Sequence, residues 1–275
     1  MSRARVFPRR ARSILTRTGG YLRAFSHSLQ PYAGCEFSCV YCYVREMAVQ
    51  KTNPYRLPWS HWIAPKENAP QLLEAAAKRG ALAGARIFCS SATDPYTPLE
   101  RKLKLTRGCL EVMLRHPPAA LILQTRSPFV VRDADLVARL PAAVSLTLTT
   151  DDERVRRRFE PDSPSCEARL TALRALRAAG VRVQVAVAPL LPCDPRSLAE
   201  QIAPWADRVV IDDFYRGDGD GGRRSSTALS LLRELGYAEW AEPGYAEAAI
   251  AVFRRVLGDE RVVVSCDGFN DLSWL

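Results

Sequence analysis

Three cysteines, Cys35, Cys39 and Cys42, are spaced C-x3-C-x2-C just after Gly34. Three thiolates hold three corners of a cubane 4Fe–4S cluster, whereas clusters ligated wholly by protein use four cysteines. One iron is then open to a small molecule, so the spacing predicts a cofactor that does chemistry as well as storing an electron. The same triplet with His27 or His61 as fourth ligand would make a zinc site. That is the basis of a distant alternative, a non-catalytic, zinc-stabilised nucleic-acid-binding module. Compact zinc sites usually show two C-x2-C-type pairs, and this chain has no second pair.

The remaining cysteines, Cys89, Cys109, Cys166, Cys193 and Cys266, stand singly in a chain of 275 residues. This is not the density of a disulfide scaffold, and a reducing, cytoplasmic setting fits. No window approaches 18 consecutive apolar residues, so no membrane helix and no membrane partner are expected. The net charge of +9 is uneven. Residues 1–25 carry Arg3, Arg5, Arg9, Arg10, Arg12, Arg17 and Arg23 with no acidic residue, and are expected as a basic N-terminal arm. Such an arm could lie along nucleic-acid phosphates; the plainer reading is a solvated terminus. The run Arg154, Arg156, Arg157, Arg158 is expected as a solvated helix face.

After the cysteines a β/α rhythm repeats. Short apolar or β-branched runs bounded by turn residues predict strands at 85–90, 119–125, 143–149, 181–188, 208–211 and 261–265, with 28–32 as the first. Helical patterns lie between them. Asn68 is expected to cap one that ends at Gly80, and Ser163-Pro164 to open another with Leu170, Leu173 and Leu176 on its buried face. A single helix is expected over 99–115. The Gly217–Gly222 stretch reads as a mobile loop.

Alternation of this kind implies a parallel sheet with right-handed crossovers. The expected fold is a partial (β/α)6-type TIM barrel over 26–215, with the cluster loop after the first strand and an α/β extension over 216–275 closing the barrel. Ligands should meet the carboxyl ends of the strands, where 90–94, 125–127 and 147–150 would share one rim.

Beyond the cysteine triplet, with its aromatic Tyr41 before Cys42, seven motifs occur in order: Ser13-Ile14-Leu15, Gln30-Pro31-Tyr32-Ala33-Gly34-Cys35, Ala92-Thr93-Asp94-Pro95-Tyr96, Leu105-Thr106-Arg107, Arg132-Asp133-Ala134-Asp135-Leu136, Phe159-Glu160-Pro161 and Ala188-Pro189-Leu190-Leu191-Pro192. Together they resemble the radical S-adenosylmethionine superfamily, in its spore photoproduct lyase-like branch, over roughly residues 10–195. The resemblance implies a 4Fe–4S cluster whose open iron chelates S-adenosylmethionine. An external one-electron donor of flavodoxin or ferredoxin type would drive cleavage to a 5′-deoxyadenosyl radical that abstracts a substrate hydrogen.

By the same resemblance Tyr41 covers the adenine side, Thr93 and Asp94 lie near the methionyl group, and Arg126, Thr147 and Ala188 lie along the rest of the cofactor. Tyr41 and Tyr43 resemble a radical relay. Gln30 stands where the family usually has Asn, and Phe37-Ser38 where it often has His-Gly. Ser91 stands where photoproduct lyases carry the cysteine that returns a hydrogen atom, and an alcohol O–H is far too strong a bond for that task. Cys89, two residues earlier, would face the same side of a strand and could substitute, although a small buried hydrophobe is the plainer reading of it. The expected activity is hydrogen abstraction on a DNA photolesion, with a peptide, an RNA or a small molecule as alternative substrates.

Overall fold

The computed structural model describes residues 4–275; Arg3, counted in the expected basic arm, lies outside them. The strands are β1 (Arg5–Val6), β2 (Leu15–Arg17), β3 (His27–Leu29), β4 (Tyr32–Gly34), β5 (Trp62–Pro65), β6 (Arg86–Cys89), β7 (Ala120–Thr125), β8 (Ala142–Thr147), β9 (Arg182–Val187), β10 (Arg208–Ile211) and β11 (Val262–Val264). Eight of them form one sheet in the order β11-β10-β9-β8-β7-β6-β3-β2. From β3 to β11 every pairing is parallel, and β2 joins β3 antiparallel.

Each later parallel strand is added on the same side of its predecessor, as in a singly wound barrel and unlike a doubly wound sheet. β2 and β11 are the two edges, so the barrel is partial and open. Inward and outward faces are both covered, which is why the central strands read as nearly continuous apolar runs; all six residues of β8 are buried. Leu170, Leu173 and Leu176 of the helix Cys166–Ala178 seal the outer face, as their spacing predicts. Inside the barrel, Phe25, Phe88, Ile122 and Ala143 pack against Phe269, Leu272, Trp274 and Leu275 from the C-terminal segment.

A second, three-stranded sheet, β1-β5-β4, was not anticipated. The expected basic arm is woven into both sheets: β1 pairs with β5, and β2 with β3. Asn68 stands at the N-cap position of its helix (Ala69–Lys78) as expected, but its side chain makes no capping hydrogen bond there. Its side chain instead pairs both ways with the Ala11 backbone, at 2.8 and 3.0 Å, and so pins this N-terminal segment. The helix expected over 99–115 is broken at Lys104, whose φ of 52° separates Glu100–Leu103 from Leu105–Arg115. Residues 217–222 form a built turn. The Asp218 carboxylate accepts from the backbone N–H groups of Asp220, Gly222, Arg224 and Ser225 at 2.7–3.2 Å.

Candidate active site

The cysteine loop leaves β4 through Gly34, at φ +76°, where a Cβ would stand 2.5 Å from the Trp62 carbonyl oxygen. Only glycine combines that conformation with that approach. Beyond it the loop is tied down by its backbone. The Val40 N–H donates to Phe159 O at 2.9 Å, and the Arg45 guanidinium donates to the carbonyls of Cys39 and Cys42 at 2.7 and 3.2 Å.

Cys35, Cys39 and Cys42 all line one cavity of about 600 Å³ above the carboxyl ends of the strands. Tyr41, Tyr43, Ser91, Thr93, Asp94, Arg126, Thr147 and Ala188 line the same space. Residues drawn from β4, β6, β7, β8 and β9 or the turns after them are thus gathered at one rim. A volume of this size suits a cofactor and a small reacting group together.

The three thiols fit a metal cofactor by their surroundings. Burial pushes every one of them up, Cys39 to about 11, so each is a neutral thiol unless a cation compensates the thiolate. Arg126 pulls against this at Cys39 and Cys42, and the Val44 backbone N–H and the Trp59 indole do so at Cys42. Soft sulfur donors within an apolar shell of Phe37, Tyr41, Val44 and Trp59 are the ligand chemistry of iron–sulfur sites.

Arg126, Tyr41 and Glu160 form the polar centre of the wall. Arg126 Nη1 donates to the Tyr41 hydroxyl and to Glu160 Oε1, each at 2.9 Å. Glu160 Oε1 also accepts from the Tyr41 hydroxyl and, at 2.9 Å, from Thr149, while Oε2 accepts from Arg169. Burial alone would raise the Glu160 pKa, but Arg169 and then Arg126 reverse this and hold it at about 2. Asp94 is buried and accepts from the Tyr96 N–H, the Thr125 hydroxyl and the Arg126 N–H at 2.7–2.9 Å. Burial nevertheless leaves its pKa raised. The Thr93 hydroxyl donates to Gly34 O, and Thr147 accepts from Gln124 at 2.8 Å.

Of the two readings of Cys89, hydrogen donor and small buried hydrophobe, the structure bears out the second. The side chain is 1% exposed and belongs to the apolar core between sheet and helices, and it does not line the cavity. Alternation stops where β6 ends, and both Ser90 and Ser91 turn toward the cavity, so the two-residue rule does not carry from Cys89 to Ser91. Of the arginine run, Arg156 is internal and donates to the carbonyls of Glu160 and Ser163, whereas Arg154, Arg157 and Arg158 are exposed.

Sequence reasoning missed Gln124, Tyr21 and Asp212 as wall residues and Arg169 behind the wall, while Thr149, expected on the rim, sits behind it on Glu160. Asp212 follows β10 and accepts from the Tyr21 hydroxyl; burial raises its pKa to about 6. A polar pair directly after the strand's apolar run was the available signal for Asp212 and Asp213.

An open, singly wound β/α barrel with three cysteines at its carboxyl rim defines a class of enzyme, and the comparisons agree. Residues 29–201 match the Radical SAM superfamily, and this chain belongs to it. It is therefore a radical SAM enzyme, and membership implies S-adenosylmethionine and an iron–sulfur cluster. An uncharacterized protein of Methanocaldococcus jannaschii is 34% identical over 165 residues, which is 60% of each chain. The match thus spans three fifths of that curated relative. Among solved structures, a mutant of spore photoproduct lyase superposes with a TM-score of 0.63 at 14% identity, covering 96% of this chain and 82% of its own. Another mutant, with bound AdoMet and dinucleoside spore photoproduct, gives 0.61 at 15% identity, with the same coverage. These likenesses are of fold.

Proposed function

We propose that this chain is a 4Fe–4S enzyme of spore photoproduct lyase-like type that abstracts a hydrogen atom from a nucleobase lesion or a related modified base. The observation that carries this reading is the convergence of Cys35, Cys39 and Cys42 with Thr93, Asp94, Arg126 and Thr147 on one cavity. When bound, the cluster with S-adenosylmethionine supplies a 5′-deoxyadenosyl radical for that abstraction. Cys35, Cys39 and Cys42 would hold the cluster.

The chain's own residues supply binding, orientation and exclusion of water. Phe37, Tyr41, Val44 and Trp59 shelter the thiols. Arg126 presents a cation, 15% exposed, to an anionic group in the cavity. Thr93 and Asp94 add a hydroxyl and a carboxylate to the cavity wall, with Asp94 next to Arg126. Ser91 offers only a hydroxyl, and the cysteines lining the cavity are Cys35, Cys39 and Cys42 alone among the described residues. Repair that ends with a hydrogen atom from a wall thiol is therefore the narrower form of the reading, and hydrogen abstraction the broader one.

The test is anaerobic, dithionite-dependent formation of 5′-deoxyadenosine by cluster-loaded protein, against a Cys39→Ala control. Equal yields from the two would remove the reading. Running the reaction on a dinucleoside photoproduct in deuterated water then asks whether the last hydrogen comes from an exchangeable group.

A further inference from the structure

Glu160 is fully buried, yet it gathers side chains from four separate parts of the chain. Tyr41 comes from the cluster loop, Arg126 from the turn after β7, Thr149 from the turn after β8, and Arg169 from the helix Cys166–Ala178. Its own backbone is clamped as well, because Arg156 donates to the Glu160 carbonyl at 2.7 Å. A buried ion cluster is a poor device for stability alone, since the desolvation of each charge offsets the attraction. What it supplies is direction: a fixed carboxylate sets where each donor points.

The charges are unequal. Two guanidiniums share one carboxylate, so a positive charge is left over. Arg169 is 1% exposed and Arg126 15% exposed, so the surplus is presented to the cavity through Arg126. Arg169 thereby keeps Glu160 from drawing the whole of Arg126's charge inward. Tyr41 and Arg126 meet on the same oxygen, Oε1, which locks the loop between Cys39 and Cys42 to the end of β7.

We propose that Glu160 is a positioning residue that fixes Tyr41 and Arg126 in the single arrangement in which the cluster loop and the cavity's cation engage S-adenosylmethionine together. The proposal rests on the functional reading above, and its test separates the two. Reconstituted, reduced protein is titrated with S-adenosylmethionine, with two readouts: the change in the cluster's electron paramagnetic resonance signal, and affinity by equilibrium dialysis. No response from the unaltered protein would sink the functional reading itself.

Given that response, Glu160→Gln is expected to keep its iron and its circular dichroism but bind at least about tenfold more weakly, with the spectral change lost, as for other residues that orient ligands from behind. Glu100→Gln is the control. Glu100 is equally buried and holds the Tyr32 hydroxyl and Arg132, but it lies outside the cavity, so the response should survive. Wild-type affinity in Glu160→Gln, or equal loss in both variants, overturns the proposal. If Glu160→Gln does not fold, Thr149→Val removes one bond to the same oxygen. About fivefold weaker binding is then expected, and unchanged binding is the overturning result.

Discussion

The Tyr43 hydroxyl donates a 3.0 Å hydrogen bond to the main-chain carbonyl of Ser91, which joins the end of the cluster loop to the turn after β6. Gln30 meets the same residue from the other side, donating to the Ser91 hydroxyl at 3.1 Å. Ser91 is therefore a held wall position, even though its side chain lacks the chemistry of a thiol. Removing one hydrogen bond of this type costs about 1 kcal/mol. Tyr43→Phe should lower the urea midpoint accordingly, with an unchanged denaturant slope.

The contrast between Ser91 and Cys89 is open to labelling. Burial raises the Cys89 thiol to about 12, and its side chain sits in the core. Alkylation needs an accessible thiolate. In native protein, iodoacetamide should modify position 91 in the S91C variant and leave Cys89 untouched, as read by tandem mass spectrometry. Labelling at Cys89 without denaturant would contradict its placement in the core.

Glu160 carries an acid limit to stability. Its folded pKa of about 2 lies below the ordinary 4.5. The stabilisation is thus fully present above pH 4.5 and is lost as pH falls from there through 2. The shift corresponds to roughly 3 kcal/mol. Glu160→Gln should flatten the stability profile over that window, measured by chemical denaturation at stepped pH.

Asp212 has the opposite sign. Burial raises it from 3.8 to about 6, with Asp213 adding to the rise, while the Tyr21 and Ser265 hydroxyls oppose it. The protonated form is favoured in the fold, so its contribution is full below pH 3.8 and fades as pH rises through 6. Asp212→Asn should make stability less dependent on pH between 4 and 7. A profile matching wild type over that interval would show that Asp212 is not the group responsible.

Gly34 is the covalent approach to Cys35. A methyl group there would face the Trp62 carbonyl at 2.5 Å and the Trp62 ring at 2.7 Å, in a left-handed conformation. Strain and overpacking together should cost about 3 kcal/mol. Gly34→Ala is therefore expected to lose both thermal stability and iron on reconstitution, the latter measured by iron and sulfide analysis.

Much of the barrel was legible along the chain. Buried parallel strands read as apolar runs whatever their neighbours, and 208–211 falls at the predicted positions to the residue. The cysteine triplet was legible because its ligands are local in sequence. Less legible was anything whose partner lies far away. Asn68 looked like a helix cap, but Ala11 competes for its side chain. The arginine run looked uniformly solvated, yet Arg156 is drawn inward by carbonyls at Glu160 and Ser163.

The amino-acid order by itself determined the repeating strand–helix units and the three-thiol loop, because periodicity and short spacing are properties of neighbouring residues. The tertiary structure alone decided that Cys89 faces the core, that the segment 5–17 is tied into two sheets, and that Glu160 joins the cluster loop to Arg126. Those outcomes depend on which distant group arrives first at a buried polar atom. That contest is settled by packing, where desolvation penalises a buried donor or acceptor left without a partner.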